Sequence, residues 1–162
     1  MDILDDKDIS EENDLEDDQQ FREYLNSGSR GLLFSHEPVG EIDGIVAKPD
    51  TGEFMKWIKK NNPDVQIETK KYDKQLVLHS NDFWLPIVFL ASDVTLPIYL
   101  NLVASYLYDK SKSLLRGEQN RVHFSAVYED RTTGSTKKFV FDGNEEALQK
   151  AIKKFDVNKF ME

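Results

Sequence analysis

Cysteine is absent from the 162-residue chain, which removes disulfides, thiolate nucleophiles and cysteine-bearing zinc sites in one step. A reducing compartment is compatible with that absence, and the cytoplasm is the expected location. No basic region followed by an apolar run opens the sequence, so no secretory signal is read. The longest apolar stretch, residues 83–108, is broken by Pro86, Asp93 and Pro97. No uncharged, proline-free span of about 18 residues remains, and no membrane helix is expected. GxGxxG is missing, as is GxxxxGK followed by Ser or Thr, so no phosphate-cradling loop is read. His36, His79 and His123 stand far apart with neither HxH nor HxxxH spacing. Neither a metal nor a cofactor is expected from them.

Charge is present but unevenly placed. Residues 1–18 hold ten acids and one lysine, a net of −9, which is the net charge of the whole chain. Residues 19–162 therefore balance. A neutral body has no bulk attraction for a phosphate backbone, and nucleic acid is not an expected partner. Residues 1–12 contain little apolar surface to offset the entropy of ordering, and read as disordered. Residues 13–26 place acids in a first turn and Leu15, Phe21, Tyr24 and Leu25 on one face, which predicts a short helix stopped by Ser27-Gly28. The expected organisation is an acidic extension over 1–27 and a single α+β domain over 28–162.

Within the body, Leu32–Ser35 and Ile42–Lys48 read as short extended pieces between Gly and Pro breakers. Thr51 is placed to cap a helix that buries Phe54, Trp57 and Ile58 and ends before Asn62-Pro63. Val65, Ile67 and Thr69, then Leu76 and Leu78, alternate with polar residues around Tyr72-Asp73, which predicts a hairpin over 65–80. A buried extended piece is expected at 84–91. A helix apolar around most of its circumference should follow over 94–116, with Asp93 as its cap. Residues 122–128 and 138–142 read as a hairpin about Glu129–Ser135. An amphipathic helix then begins at Glu145-Glu146 and buries Ala147, Leu148, Ala151, Ile152 and Phe155. The element order αββαββα fits an antiparallel sheet of two hairpins covered on one face by helices.

Three constellations bear on chemistry. Pro63-Asp64 and Glu68-Thr69-Lys70 resemble a PD-(D/E)xK nuclease signature, in which two acids hold a divalent cation and a lysine orients water. The spacing is too short for that family, although Asp64, Glu68 and Lys70 share a side of one strand by parity. His79-Ser80-Asn81-Asp82 contains hydrolase residue types, but one short segment does not fold a triad onto itself. The third is the aromatic set in 83–108. Most of it reads as core, and Phe83-Trp84, beside a turn, is the pair expected at a partner surface. Lys56, Lys59, Lys60, Lys70, Lys71 and Lys74 lie close in sequence as a face to which acids are complementary.

From Leu96 to Phe155 the text LPIYLNLVASYLYDK, RVHFSAVYEDRTTG and KKFVFDGNEEALQKAIKKF resembles the effector-associated constant-component type of small bacterial conflict-system modules. The resemblance covers about sixty residues and implies a non-enzymatic accessory or adaptor role in antiphage defence. It carries over no catalytic residue.

The reading is a non-enzymatic protein-binding module, with Phe83, Trp84, Asp14, Glu16, Asp17 and Asp18 as partner-binding residues. The partner expected is another protein, one with a basic surface. One alternative is a toxin-neutralising immunity protein that blocks such a surface with its acids. The other is a metal-dependent nuclease-like hydrolase using Asp64 and Glu68. Self-association is also expected, because a mostly apolar helix in a small domain calls for cover on its outer side.

Overall fold

The computed structural model describes residues 9–13, 18–36, 43–76, 82–111 and 121–160. The elements in chain order are β1 (Ile9–Asn13), α1 (Asp18–Asn26), β2 (Leu32–Ser35), β3 (Val46–Ala47), α2 (Thr51–Asn61), β4 (Ile67–Thr69) and β5 (Lys74–Gln75). They continue with β6 (Phe83–Leu90), α3 (Leu96–Ser111), β7 (Arg121–Glu129), β8 (Thr136–Asn144) and α4 (Glu145–Phe160).

Six strands form one sheet in the order β1-β8-β7-β6-β2-β4. The sheet is mixed, which corrects the antiparallel two-hairpin expectation. β6 runs parallel to β7 and β2 parallel to β4, while β1–β8, β7–β8 and β2–β6 are antiparallel. A parallel pair needs a long crossover, and α3 supplies it between β6 and β7. The αββαββα order fails with it. The hairpin expected over 65–80 does not form: β4 pairs with β2, and β5 pairs with β3 in a separate two-stranded ladder. Leu78, His79 and Ser80 lie outside the described residues.

The hairpin at the C-terminal end does form. β7 and β8 pair from Arg121↔Asn144 to Glu129↔Thr136, and Gly134 turns the chain at φ +73°. The Asn144 side-chain oxygen Oδ1 accepts the Ala147 N–H at 2.9 Å, capping α4 three residues in. β6 and α2 also fall where alternation and periodicity place them.

The core lies mainly on one face. Phe54 and Ile58 from α2, Tyr99, Leu100, Val103 and Tyr106 from α3, and Leu148 and Ala151 from α4 pack on Val88, Phe124, Phe139 and Phe141 of the sheet. α3 is the central helix, leaving only Ile98, Asn101, Ser105 and Tyr108 of its middle turns outward. It begins at Leu96. Asp93, expected as its cap, instead accepts the Gly31 N–H at 2.9 Å. Residues 112–116 of the expected helix lie outside the described residues. Thr51 is the first residue of α2, preceded by Asp50 in the cap position, and its hydroxyl donates to the Lys48 carbonyl at 2.8 Å.

The opposite face is covered as well, against the one-sided expectation. Phe21 and Tyr24 of α1 pack on Leu33, Ile87, Phe89, Ala91 and Val127. Burying an aromatic side chain stabilises by roughly 1.5–3 kcal/mol, enough to fix a nine-residue helix that would not persist alone. Polar contacts set its position: Arg22 donates to Glu129 and to the Gly134 carbonyl, and Asp18 accepts from the Thr136 hydroxyl. The helix thus starts at Asp18 and not at residue 13. Ile9–Asn13, expected to be disordered through residue 12, forms β1, paired with β8 from Ile9↔Phe141 to Asn13↔Lys137.

Candidate functional site

A polar cluster forms where β6, β7 and β8 lie side by side. In the β6–β7 ladder Trp84 stands opposite His123, and in the β7–β8 hairpin His123 stands opposite Asp142. Equal strand parity puts all three side chains on the α1 face of the sheet, away from Val122 and Phe124. The Trp84 and His123 rings stack with centroids 3.8 Å apart and planes 14° apart. Imidazole Nε2 faces Asp82 Oδ2 at 3.1 Å, and Nδ1 faces Asp142 Oδ1 at 3.2 Å. Arg121 Nε and Nη2 donate to the same Asp142 oxygen at 3.1 and 3.0 Å.

Trp84 is held from behind. Its N–H donates to Asp50 Oδ2 at 2.7 Å, and its carbonyl accepts the Asp50 N–H at 3.1 Å. The register shifts immediately afterwards, between Trp84 and Ile87. A bulge there re-aims the side chains that follow. The Lys48 ammonium sits 6.0 Å from the Trp84 ring centroid. The indole Nε1 is buried with no hydrogen-bond partner among the described residues.

Environment separates the two acids. The hydrogen bond from His123 holds the Asp82 carboxyl below its ordinary pKa, helped by the Arg121 N–H and by the charges of both residues. Burial pushes Asp50 upward, against the lowering effect of the Trp84 N–H. Chemically, the cluster is closed. Both imidazole nitrogens face carboxylates, so neither lone pair is directed at an outside proton. No hydroxyl of the described residues bonds to the ring, so no nucleophile is activated there. Asp82 and Asp142 approach from opposite sides of the imidazole and not toward one point. Among the described residues, no group of three His, Asp or Glu side chains is arranged to hold a metal ion.

The residues singled out from sequence are dispersed. Phe83 is partly buried against the main core, edge-on to Tyr106 at 6.2 Å, while Trp84 points to the other face. Asp18 is engaged within the fold by Thr136 and by Arg22, the latter at 3.5 Å. Asp14, Glu16 and Asp17 lie outside the described residues. Asp64 is in a turn ahead of β4 and not on the strand with Glu68, which removes the shared parity of the nuclease-like set. Lys70 donates to Gln20 of α1, and its ammonium lies 5.5 Å from the Phe89 ring centroid.

Asp82 and His123 are 41 residues apart, a separation with no local signal. His123 and Asp142, however, are paired by the hairpin register about Gly134, and extending the strand alternation to both ends finds them. No protein-family model, curated protein or solved structure matches the chain. Among the described residues, no helix is long and apolar enough to cross a membrane.

Proposed function

We propose that this protein is a non-enzymatic protein-interaction module, acting as an accessory component of a bacterial conflict system. One observation carries the reading: the cluster most like a catalytic site closes on itself. His123 is used between Asp82 and Asp142, tying the start of β6 to β7 and β8, and both of its ring nitrogens are taken up within the cluster. The resemblance over 96–155 supplies the conflict-system context.

The partner is a protein with a basic surface. It is met by the acids that precede α1, Asp14, Glu16 and Asp17, while Asp18 serves the fold. Opposite charges across such an interface raise the association rate and make it sensitive to salt. The test is capture from a bacterial lysate by the full chain and by D14N/E16Q/D17N, at low and high salt. A protein retained by the wild type at low salt, and lost both at high salt and in the variant, is the expected result. Capture that ignores the three acids would overturn the assignment. Cleavage of nucleic acid with Mg²⁺ or Mn²⁺ that disappears in D64A would overturn the non-enzymatic reading itself.

A further inference from the structure

The contacts of His123 require a particular protonation state. Its Nε2 meets Asp82 Oδ2 at 3.1 Å, and its Nδ1 meets Asp142 Oδ1 at 3.2 Å. An ionised carboxylate only accepts hydrogen bonds, and a neutral imidazole carries a single N–H. Either neutral tautomer would therefore aim a nitrogen lone pair at a carboxylate oxygen. Turning the ring over is no remedy, because it sets carbon atoms against both acids. Only the imidazolium, with an N–H on each nitrogen, suits both contacts at once. Both acids are held in the accepting form. The hydrogen bond from His123 keeps the Asp82 carboxyl below its ordinary pKa, and Arg121 Nε and Nη2 donate to Asp142 Oδ1. The His123 side chain is only 17% exposed, so water replaces little of a contact that is lost.

The flat face of the imidazole is used as well. Trp84 stacks on it with ring centroids 3.8 Å apart, an arrangement in which a cation is favoured over an indole. The charged groups around the pair come from each neighbouring segment: Asp82 ahead of β6, Arg121 on β7, Asp142 on β8, and Lys48, whose ammonium lies 6.0 Å from the Trp84 ring centroid. We propose that His123 is a proton-controlled clamp. Charged, it fastens the start of β6 to the β7–β8 hairpin and holds Trp84 on its face; uncharged, it gives up one of the two acids and loosens Trp84. Imidazoles exchange their proton between about pH 5 and about pH 8, so the clamp is closed at the acid end and opens as pH rises. The placement of Trp84, a residue expected at a partner surface, is thereby tied to pH. The clamp acts without Asp14, Glu16 and Asp17, and stands whether or not those acids meet a partner.

Nitrogen-15 NMR of the histidine rings in the full chain, from about pH 5 to about pH 9, is the test. Both ring nitrogens of His123 should carry protons at the acid end, and one proton should leave as pH rises. In W57F, where Trp84 is the only tryptophan, indole emission should change with the same midpoint. Across that range the thermal midpoint of the wild type should fall by about 3 °C more than that of H123Q. D142N, which leaves His123 and Asp82 in place, should move the loss of the His123 proton to lower pH. A His123 that is neutral wherever the chain is folded, Trp84 emission that ignores the His123 titration, or a titration unchanged in D142N would each overturn the clamp. So would a thermal pH dependence equal in the wild type and H123Q.

Discussion

Gly31 is the position where the fold leaves least room. Its φ is +81°, and a Cβ built there would lie 2.0 Å from the Gln66 carbonyl oxygen, the same oxygen that accepts the Leu32 N–H at 2.9 Å. Gly31→Ala therefore combines a left-handed backbone with a backbone clash that no rotamer relieves, and should cost about 3 kcal/mol or more. Gly134 has a similar φ, +73°, with nothing within 4 Å of the added carbon. Gly134→Ala should cost only about 1 kcal/mol. Equal losses in urea unfolding would refute the role of the close approach. Tyr99 presents the reverse case, a fully buried hydroxyl with no partner among the described residues. Tyr99→Phe should keep or raise stability, by up to about 1 kcal/mol. A loss of that size would show the hydroxyl to be bonded, as to a buried water. Asp82 adds a pH dependence. Its pKa is lowered in the fold, chiefly by His123, so its contribution is present above the ordinary carboxylate value near 3.9 and disappears as pH falls through the lowered one. Asp82→Asn should flatten that part of the acid limb when thermal midpoints are followed from about pH 6 to about pH 2.

Elements were legible in proportion to how local their causes are. α2, β6, the β7–β8 hairpin and α4 are written in periodicity, alternation and turn residues within a dozen positions, and each forms where those signals place it. Val65, Ile67 and Thr69, then Leu76 and Leu78, have the alternation of hairpin arms around Tyr72-Asp73, yet β4 and β5 each find a partner in an earlier segment. Parallel pairing leaves no turn signature to read. Asp93 shows the same limit at one residue: an acid before a helix reads as a cap, and its actual partner, the Gly31 N–H, is 62 positions away. The candidate site was half legible, since the His123–Asp142 pair follows from hairpin register while Asp82 and Trp84 arrive through tertiary contact. α1 was legible by its apolar face, but not the side of the sheet it covers. Phe21 is completely buried there, edge-on to Phe89 at 5.9 Å. Phe21→Ala should cost about 3 kcal/mol, and hydrogen exchange should show the loss first in α1 while the β7–β8 amides stay protected. A uniform loss of protection across the sheet would mean that α1 is not a separately opening unit.

On the scale of the whole molecule, the charge boundary and the fold boundary do not coincide. The net charge of −9 ends at Asp18, which invites division into an acidic extension and a neutral body. The fold divides the chain elsewhere: residues 9–13 complete one sheet edge, and residues 18–26 close the sheet face opposite the main core. Without α1, Leu33, Ile87, Phe89, Ala91 and Val127 would form one continuous apolar surface spanning β2, β6 and β7. Isolated exposed apolar residues are ordinary, but a contiguous patch of this kind drives association. Loss of β1 would also bare the outer edge of β8, a nine-residue strand and hence a template for pairing with another chain. A truncated chain beginning at Gly28 should therefore keep the β7–β8–α4 signals in far-ultraviolet circular dichroism, bind a hydrophobic dye and aggregate. The same chain supplied in trans with a peptide of residues 9–27 should regain solubility. A soluble, dye-silent monomer from Gly28 onward would show that the second face needs no cover and that the acidic segment is separable after all. The expected failure of that truncation has a physical cause: the acids mark the segment as solvated, while Phe21 and Tyr24, only three and six residues beyond the last of them, make it part of the core.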